Sequence, residues 1–221
     1  MQMRHKELYG LALLQRFAIL IAVVPVTNLA ASAQSIEAPY QPLTPSQSLG
    51  WFGKSTISSS HMTGVAFLSA GGTAVSRPGE YGSHWGGLAD RFGIGMAGSA
   101  VGNAIEVGAG LALREDPRYF RAPQQPIKAR MGNVVRLTFL ARGENGVFGP
   151  AYARYFAISG SNFLSNAWRV RSEANTRAAL LRSSEGFAGR IAANGFAEFW
   201  PDVKGYVFHA RHRAVQWRPD Y

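Results

Sequence analysis

A 22-residue apolar segment, residues 92–113, restricts the fold of this chain more than any other part of its sequence. It carries one formal charge, Glu106, and is much longer than an ordinary strand of about 5–6 residues. Apolar residues alternate with small or polar ones between Val101 and Leu113, which would suit a strand, but the length of the segment favours a helix. We therefore expect one long helix with the rest of a domain packed around it.

Small residues recur four positions apart along this segment. Gly98 and Gly102 have this spacing, as do Ala104 and Gly108, and such a stripe lets a neighbouring helix approach closely. The segment could be a buried helix, a membrane span, or the contact of a homo-oligomer assembled through Gly98 and Gly102. Six glycines, Asn103 and a central carboxylate, which costs roughly 2.5–3.5 kcal/mol on insertion scales, make a weak span. We therefore favour the buried helix.

The N-terminus has the pattern of an export signal. Arg4 and Lys6 precede an apolar stretch at residues 17–26, and Ala31-Ser32-Ala33 provides a small–x–small cleavage pattern. We expect a signal peptide over residues 1–33 that is cleaved on export to the periplasm or outer envelope. The alternative is that the same segment is retained as an uncleaved membrane anchor.

Prolines and turn sequences divide the rest of the chain. Residues 34–49 predict a Pro-rich flexible leader, residues 50–205 a helical domain, and residues 206–221 a basic C-terminal tail. The segments that we expect to be helical cover residues 61–75, 82–113, 127–141, 150–170 and 172–200, the last ended by Pro201. The predicted fold is all-α, a compact bundle of about five helices, and the alternative fold is a small outer-membrane β-barrel.

The composition excludes several kinds of chemistry. The chain has no cysteine, which excludes disulfides, iron–sulfur clusters, thiol catalysis and cysteine-rich zinc sites. His209 and His212 have no nearby carboxylate, so we expect neither a metal nor a cofactor. Residues 50–56 have only a superficial likeness to a phosphate-binding loop, because Ser48 stands where the first glycine of that motif is required.

Basic residues outnumber acidic ones by 23 to 13, which gives a formal net charge of +10. In an exported protein the anionic partners to expect are anionic lipid, lipopolysaccharide or cell-wall polymers, and not nucleic acid. The alternative is that the cation excess only keeps the protein soluble. We predict an anion-binding patch formed by Arg114, Arg118, Arg121, Lys128 and Arg130. The predicted function is a binding or structural role at a membrane or cell-wall surface of the cell envelope.

Four carboxylates are candidates for acid/base catalysis. Glu115 and Asp116 lie among arginines that could tune their pKa values, Glu106 lies inside the long apolar segment, and Glu198 lies in an aromatic stretch. The structural alternative is that each carboxylate pairs with an arginine at a helix end. The catalytic alternative, a hydrolase acting on an envelope lipid or glycan, requires at least two of them to line one pocket.

Two short motifs are the most distinctive part of the sequence: Glu-Asp-Pro-Arg-Tyr-Phe at 115–120 and Glu-Phe-Trp-Pro-Asp at 198–202. They resemble the hallmarks of a family of exported bacterial proteins without an established function. Further similar positions are 81–82, 85–87, 91–93, 136–139 and 161–162. The resemblance covers residues 60–205 and implies a signal peptide followed by a small helical domain. It implies no catalytic residues.

Overall fold

The computed structural model describes residues 33–35 and 40–216 of the chain. Its helices are α1 (Pro45–Ile57), α2 (Ser59–Ala74), α3 (Trp85–Leu113), α4 (Ile127–Phe139), α5 (Tyr152–Leu164) and α6 (Thr176–Gln216). The prediction of a compact all-α domain is confirmed, and the alternative β-barrel is wrong for these residues. The predicted signal peptide lies outside the described residues except for Ala33, and so do the side chains of His209 and His212.

The strands are short and connect the helices. They are β1 (Ala33–Ser35), β2 (Glu115–Asp116), β3 (Tyr119–Arg121), β4 (Leu140–Gly143) and β5 (Phe148–Pro150). β1 pairs in parallel with β3, and the other three form an antiparallel sheet in the order β2-β4-β5. This sheet joins the end of α3 to the connection between α4 and α5.

Local sequence explains how the first two helices begin. The Thr44 side chain accepts a hydrogen bond from the Gln47 N–H, and the Gln47 side chain accepts one from the Thr44 N–H, which is a capping box. Pro45 occupies the first turn, where its missing N–H costs nothing. Ser58 then ends α1 and caps α2. The flexible leader that we predicted over residues 34–49 is therefore wrong from residue 45 onwards.

A buried arginine holds the turn between α2 and α3. The Arg91 guanidinium donates to the carbonyls of Gly82 at 2.8 Å, Pro78 at 2.9 Å and Gly87 at 3.0 Å. It also lies over the Tyr81 ring, 5.2 Å from the ring centroid. These contacts satisfy a buried cation with neutral acceptors and fix the angle between the two helices.

α6 continues through Pro201, where we predicted that the last helix ends, and runs into the predicted tail as far as Gln216. A proline has no N–H to donate, and its ring crowds the preceding turn. The carbonyl of Glu198 in that turn accepts hydrogen bonds from Arg121 at 2.9 Å and Arg130 at 2.7 Å. These bonds brace the turn before Pro201 but do not replace the one that proline removes, which would go to the carbonyl of Ala197. Their donors lie 77 and 68 positions away in the sequence and give no local signal at Pro201.

α3 packs most closely on α5 and also contacts α1 and α2, while α6 packs on α4 and α5. A Cβ built on Gly102 would lie 3.3 Å from Ser161 Oγ of α5, so this glycine allows the close approach that we predicted. The other residues of the predicted packing stripe make no such close contact. No described atom lies within 4 Å of a Cβ on Gly98 or Gly108, and Ala104 is exposed. The homo-oligomer contact through Gly102 is therefore not supported, since α5 of the same chain occupies it.

The helix contacts that the sequence analysis missed involve other glycines. A Cβ on Gly95 would lie 2.8 Å from Val65 of α2, and a Cβ on Gly186 of α6 would lie 2.8 Å from Ile158 of α5. Both distances are shorter than van der Waals contact, so only glycine fits without rearrangement. These glycines set the spacing of α2 against α3 and of α5 against α6.

Charged side chains occupy much of the interior, and large apolar side chains lie outside. The buried charged residues are Arg91, Glu106, Asp116, Arg130, Arg154 and Glu198. The apolar core is small and contains Tyr119, Phe120, Val134, Leu137 and Ala197. By contrast, Trp85 is 85% exposed and Ile127 is 71% exposed. Six buried charges beside many exposed large apolar side chains depart from the usual preference of charged side chains for water.

α3 is long and apolar enough to cross a membrane by length and composition alone. Only 17% of its most apolar 18-residue stretch is buried, so the buried helix that we favoured is wrong. The physical reason is length. α3 has 29 residues, or about 43 Å at 1.5 Å per residue, whereas α1, α2 and α5 have 13 to 16 residues and are at most about 24 Å long. None of these three helices is long enough to cover the whole of α3 by itself.

We predict that Gly102→Leu destabilises the fold by about 1–3 kcal/mol, because the new side chain forces α5 away from α3. The matched control is Gly108→Leu on the same helix, where a Cβ meets no described atom within 4 Å and helix propensity improves. Thermal unfolding followed by circular dichroism measures both variants. Equal losses of stability, or a changed oligomer size in Gly102→Leu alone with unchanged stability, would contradict the internal contact.

Candidate functional site

The two distinctive sequence motifs meet in the interior. Glu198 is fully buried, and its carboxylate accepts hydrogen bonds from the Tyr119 hydroxyl at 2.7 Å and the Ala122 N–H at 3.2 Å. Arg130 Nε donates to the same carboxylate at 2.8 Å. Burial, together with the Glu198 carboxylate, raises the pKa of Tyr119, which therefore keeps the proton that it donates. These donors offset the cost of burying the charge.

A second buried carboxylate joins four helices. Glu106 of α3 forms ion pairs with Arg154 of α5 at 3.1 Å and Arg190 of α6 at 2.9 Å. Arg154 also donates to the carbonyl of Leu137 at 2.7 Å, near the end of α4. Each of these partners is held by the fold, so Glu106 is a structural ion-pair centre.

The other two candidate carboxylates also have structural partners. Asp116 accepts from the guanidinium of Arg118 through both of its oxygens. Glu115 accepts from the N–H groups of Tyr152 at 3.1 Å and Ala153 at 2.9 Å, which are free donors in the first turn of α5.

The catalytic alternative gains no support from this arrangement. Glu106, Glu115 and Asp116 border a narrow space beside Arg154 that has no room for a water molecule. Glu198 lies at the separate junction of the two motifs. Glu106, Asp116 and Glu198 each pair with an arginine, as the structural alternative expects. Glu115 does not, because its donors are two backbone N–H groups.

The predicted anion-binding residues do not form one free surface. Arg118 pairs with Asp116, and Arg121 and Arg130 both bond the Glu198 carbonyl and pair with Asp202. Arg114 and Lys128 are exposed, and Arg114 pairs with Glu144 at 2.8 Å. Carboxylates within the fold therefore engage four of the five cations.

A cleft of about 910 Å³ lies between α1, α2, α3, α5 and α6. This volume is within the range of small-molecule sites, about 300–1,000 Å³. Hydroxyls, amides and glycines form much of its wall, including Ser60, Gly98, Asn103, Ser161 and Asn194. The charged side chains that border it are Lys54, Arg169, Arg182 and Arg190 against Glu106 and Glu185. The formal charge of its wall is positive.

Sequence reasoning missed the cleft because five helices contribute to it. A partial signal was present, since Gly98 and Gly102 both border the cleft and we interpreted their spacing only as helix packing. Ser58, Ser59 and Ser60 in succession form a second signal, a polar start to α2 on the same wall.

Burial affects the ionisable groups of the cleft. It lowers the pKa of His61, which favours the neutral imidazole. It also lowers the pKa of Arg182, with the neighbouring Arg169 cation acting in the same direction. Burial raises the pKa of Glu185, which favours its neutral form. These three pKa shifts indicate that ionised side chains at the cleft are less well solvated than in water.

The described residues contain no group of three side chains suited to hold a metal ion. No protein-family model matches the chain, and no curated protein or solved structure is significantly similar to it. The function is therefore inferred from the cleft with its positively charged wall and from the exposed apolar side chains.

We predict that Glu198→Gln destabilises the protein by about 3–5 kcal/mol, because Arg130 loses a buried counter-charge. Asp202→Asn is the matched control, since it removes a carboxylate that also pairs with Arg130 but is half exposed, and it should cost less than about 1 kcal/mol. Urea unfolding measures both. Similar midpoints for the two variants would show that the buried junction does not dominate stability.

Proposed function

We propose that this chain is an exported, membrane-associated protein of the cell envelope with a binding role. Its outer helix faces contact lipid acyl chains, and its internal cleft holds the polar part of an anionic ligand. The observation that carries this proposal is the reversed distribution of polarity, with charged side chains inside and large apolar ones outside. Exposed apolar surface of this extent is typical of a membrane or protein contact.

The clearest outer face is a stripe on α4. Ile127, Met131, Val135 and Phe139 are spaced four residues apart, and each is between 39% and 71% exposed. On a helix of a water-soluble domain such a stripe faces the core. We name these four residues the α4 stripe. Its exposure supports contact with lipid.

Aromatic rings extend the α4 stripe onto the neighbouring helices. Phe139 stacks on Phe187 of α6 with centroids 5.7 Å apart, and Phe187 lies 6.1 Å from Tyr155 of α5. Tyr155 in turn contacts Tyr152, which is half exposed. Tyrosines are enriched where a protein meets the membrane–water interface, because one end of the ring is apolar and the other is polar.

Charge supports a lipid surface as the partner. The residues after Ala33 include 20 basic and 12 acidic ones, and their formal net charge of +8 attracts a surface that carries anionic headgroups. Apolar contact through the α4 stripe then contributes to the free energy of lipid binding, and salt does not screen this contribution. Lipid binding should accordingly persist at high ionic strength, in contrast with binding through a purely cationic patch.

We expect the native, untagged chain to begin at Gln34 and to stay in the membrane pellet after an alkaline wash. Alkaline conditions release proteins held mainly by charge, whereas apolar contacts persist. Cell fractionation with sequencing of the mature N-terminus makes this measurement. Release of the whole chain into the soluble fraction would contradict the membrane association.

We expect the triple variant Ile127→Gln, Met131→Gln, Val135→Gln to bind vesicles at least about tenfold more weakly. Each apolar side chain that leaves a lipid contact loses on the order of 1 kcal/mol or more. The matched control is Ala129→Gln with Gly132→Gln, which adds exposed amides to the same helix outside the α4 stripe. Vesicle flotation at high salt compares them. Equal flotation of the two variants would show that the α4 stripe does not face lipid.

A further inference from the structure

The ion-pair centre at Glu106 has more cations than carboxylates. Its single carboxylate pairs with two guanidiniums, that of Arg154 at 3.1 Å and that of Arg190 at 2.9 Å. Among the described residues, neither arginine forms an ion pair with a second carboxylate. One positive charge is therefore left over, and a poorly solvated charge without a counter-charge is costly. A negative charge placed beside the centre would offset that cost.

Arg190 is the member of this centre that a ligand can reach. Its side chain is 22% exposed and borders the cleft, whereas that of Arg154 is 3% exposed. Its Nη1 and Nη2 donate to Glu106, and Nη2 also donates to the carbonyl of Pro117 at 3.0 Å. None of these bonds uses Nε, and Nε is not among the buried side-chain atoms that lack a partner in the described part of the chain. Nε is therefore an accessible donor.

Arg190 keeps its positive charge at neutral pH. Burial lowers its pKa to about 10, the Glu106 carboxylate opposes this shift, and the Arg154 cation adds to it. Glu185 is the other carboxylate that borders the cleft. Burial raises the pKa of Glu185, and the cations that act against this rise are Arg182 and Arg169, not Arg190. The excess charge at Arg190 is therefore not neutralised from within the cleft.

A trough extends from Arg190 between α3 and α6. Both helices pack on α5, and the ion pair of Glu106 with Arg190 joins them to each other. The cleft follows α3 over residues 95–106, about 16 Å at 1.5 Å per residue. A Cβ built on Gly98 of α3 or on Gly189 of α6 would meet no described atom within 4 Å, so both residues border open space. We name the part of the cleft that Gly98 and Gly189 border the glycine trough.

The polar side chains of the cleft wall direct donors into the protein. Ser161 Oγ donates to the carbonyl of Ile158 at 3.4 Å, and Asn162 Nδ2 donates to the same carbonyl at 2.8 Å. Asn103 Nδ2 donates to Thr56 Oγ1 at 3.0 Å. Because these donors are already used, the wall is poorly suited to a polyhydroxylated ligand such as a glycan, which needs many hydrogen-bond partners.

Large apolar side chains also border the cleft and are not covered by the protein. Ile57 at the end of α1 is 67% exposed, and Leu68 of α2 is 57% exposed. A bound apolar chain would remove part of their surface from water, which is favourable. The cleft thus combines an accessible cation with uncovered apolar surface.

We propose that the cleft binds a single-chain amphiphile with one negative charge, its headgroup at Arg190 and its apolar chain along the glycine trough. One negative charge neutralises the excess cation, and Nε donates to one oxygen of the headgroup. The apolar chain covers the exposed surface of Ile57 and Leu68. The headgroup is either a carboxylate, as in a fatty acid, or a phosphodiester, as in a lysophospholipid.

This inference rests on the binding role proposed above, and it places the apolar chain of the ligand in the cleft beside its polar part. The test uses the full chain, purified in a neutral detergent, and measures saturable binding of radiolabelled probes by scintillation proximity. The anionic probes are laurate and lauroyl lysophosphatidylglycerol. The neutral probe is monolaurin, which carries the same acyl chain without a charge.

We expect an anionic probe to bind about tenfold more tightly than monolaurin, because only the anion gains a charge-assisted bond to Arg190. Tighter binding of either anionic probe supports the proposal, and the probe that binds identifies the headgroup. Binding of neither anionic probe, or binding no tighter than that of monolaurin, overturns it. Acetate that competes as well as laurate also overturns it, since the chain would then contribute nothing. In each of these cases membrane retention of the protein would still support the lipid-contacting exterior.

The deciding variant is Gly98→Leu, which fills the glycine trough and should weaken binding of the anionic probe about tenfold. The matched control is Gly108→Leu on the same helix. A Cβ at either position meets no described atom within 4 Å, but Gly108 does not border the cleft. The control should therefore change the affinity less than about twofold. Unchanged affinity in Gly98→Leu overturns the proposal.

The headgroup contact is tested by Arg190→Gln, which should weaken binding of the anionic probe about tenfold and leave that of monolaurin unchanged. The matched control is Arg177→Gln, an exposed arginine on the same helix that does not border the cleft. Unchanged affinity of folded Arg190→Gln for the anionic probe overturns the proposal. Where circular dichroism shows that Arg190→Gln is unfolded, Gly98→Leu decides.

Discussion

The buried carboxylate of Glu198 is the contact on which the arrangement of the second half of the domain depends. It accepts hydrogen bonds from β3 and α4, and the carbonyl of the same residue accepts bonds from Arg121 and Arg130. These bonds hold α6 against both elements beside Pro201, a residue that ordinarily ends a helix and past which α6 continues.

The buried charges and the exposed apolar side chains both follow from the close packing of helices through small residues. Helices that pack through glycine, alanine and serine leave little room between them for large apolar side chains. Ion pairs, such as those of Glu106 with Arg154 and Arg190, therefore fill part of the interior. An ion pair depends on well-placed hydrogen-bond donors more than on a large volume. Large apolar side chains lie on the outside, including the α4 stripe, and the cleft occupies the region where α1, α2, α3, α5 and α6 do not pack closely.

The candidate site was only partly accessible from the sequence. The motifs at 115–120 and 198–202 stood out, but nothing local indicates that Tyr119 and Glu198 meet, because 79 positions separate them. The cations between 114 and 130 suggested an anion-binding site, whereas carboxylates within the fold pair with most of them. His61 and Arg182 attracted no attention, since each is an ordinary residue on its own helix until the fold places both at the border of the cleft.

The sequence by itself determined the class of the fold and the approximate positions of most helices. The length of segment 92–113 and the prolines and glycines between segments are local signals, and a helix forms from contacts three or four residues apart. Tertiary structure alone decided which face of each helix is exposed, that α6 passes Pro201, and which arginine meets which carboxylate. Those outcomes depend on partners such as Arg130 and Glu198, 68 positions apart, whose energies arise only after the backbone has brought them together.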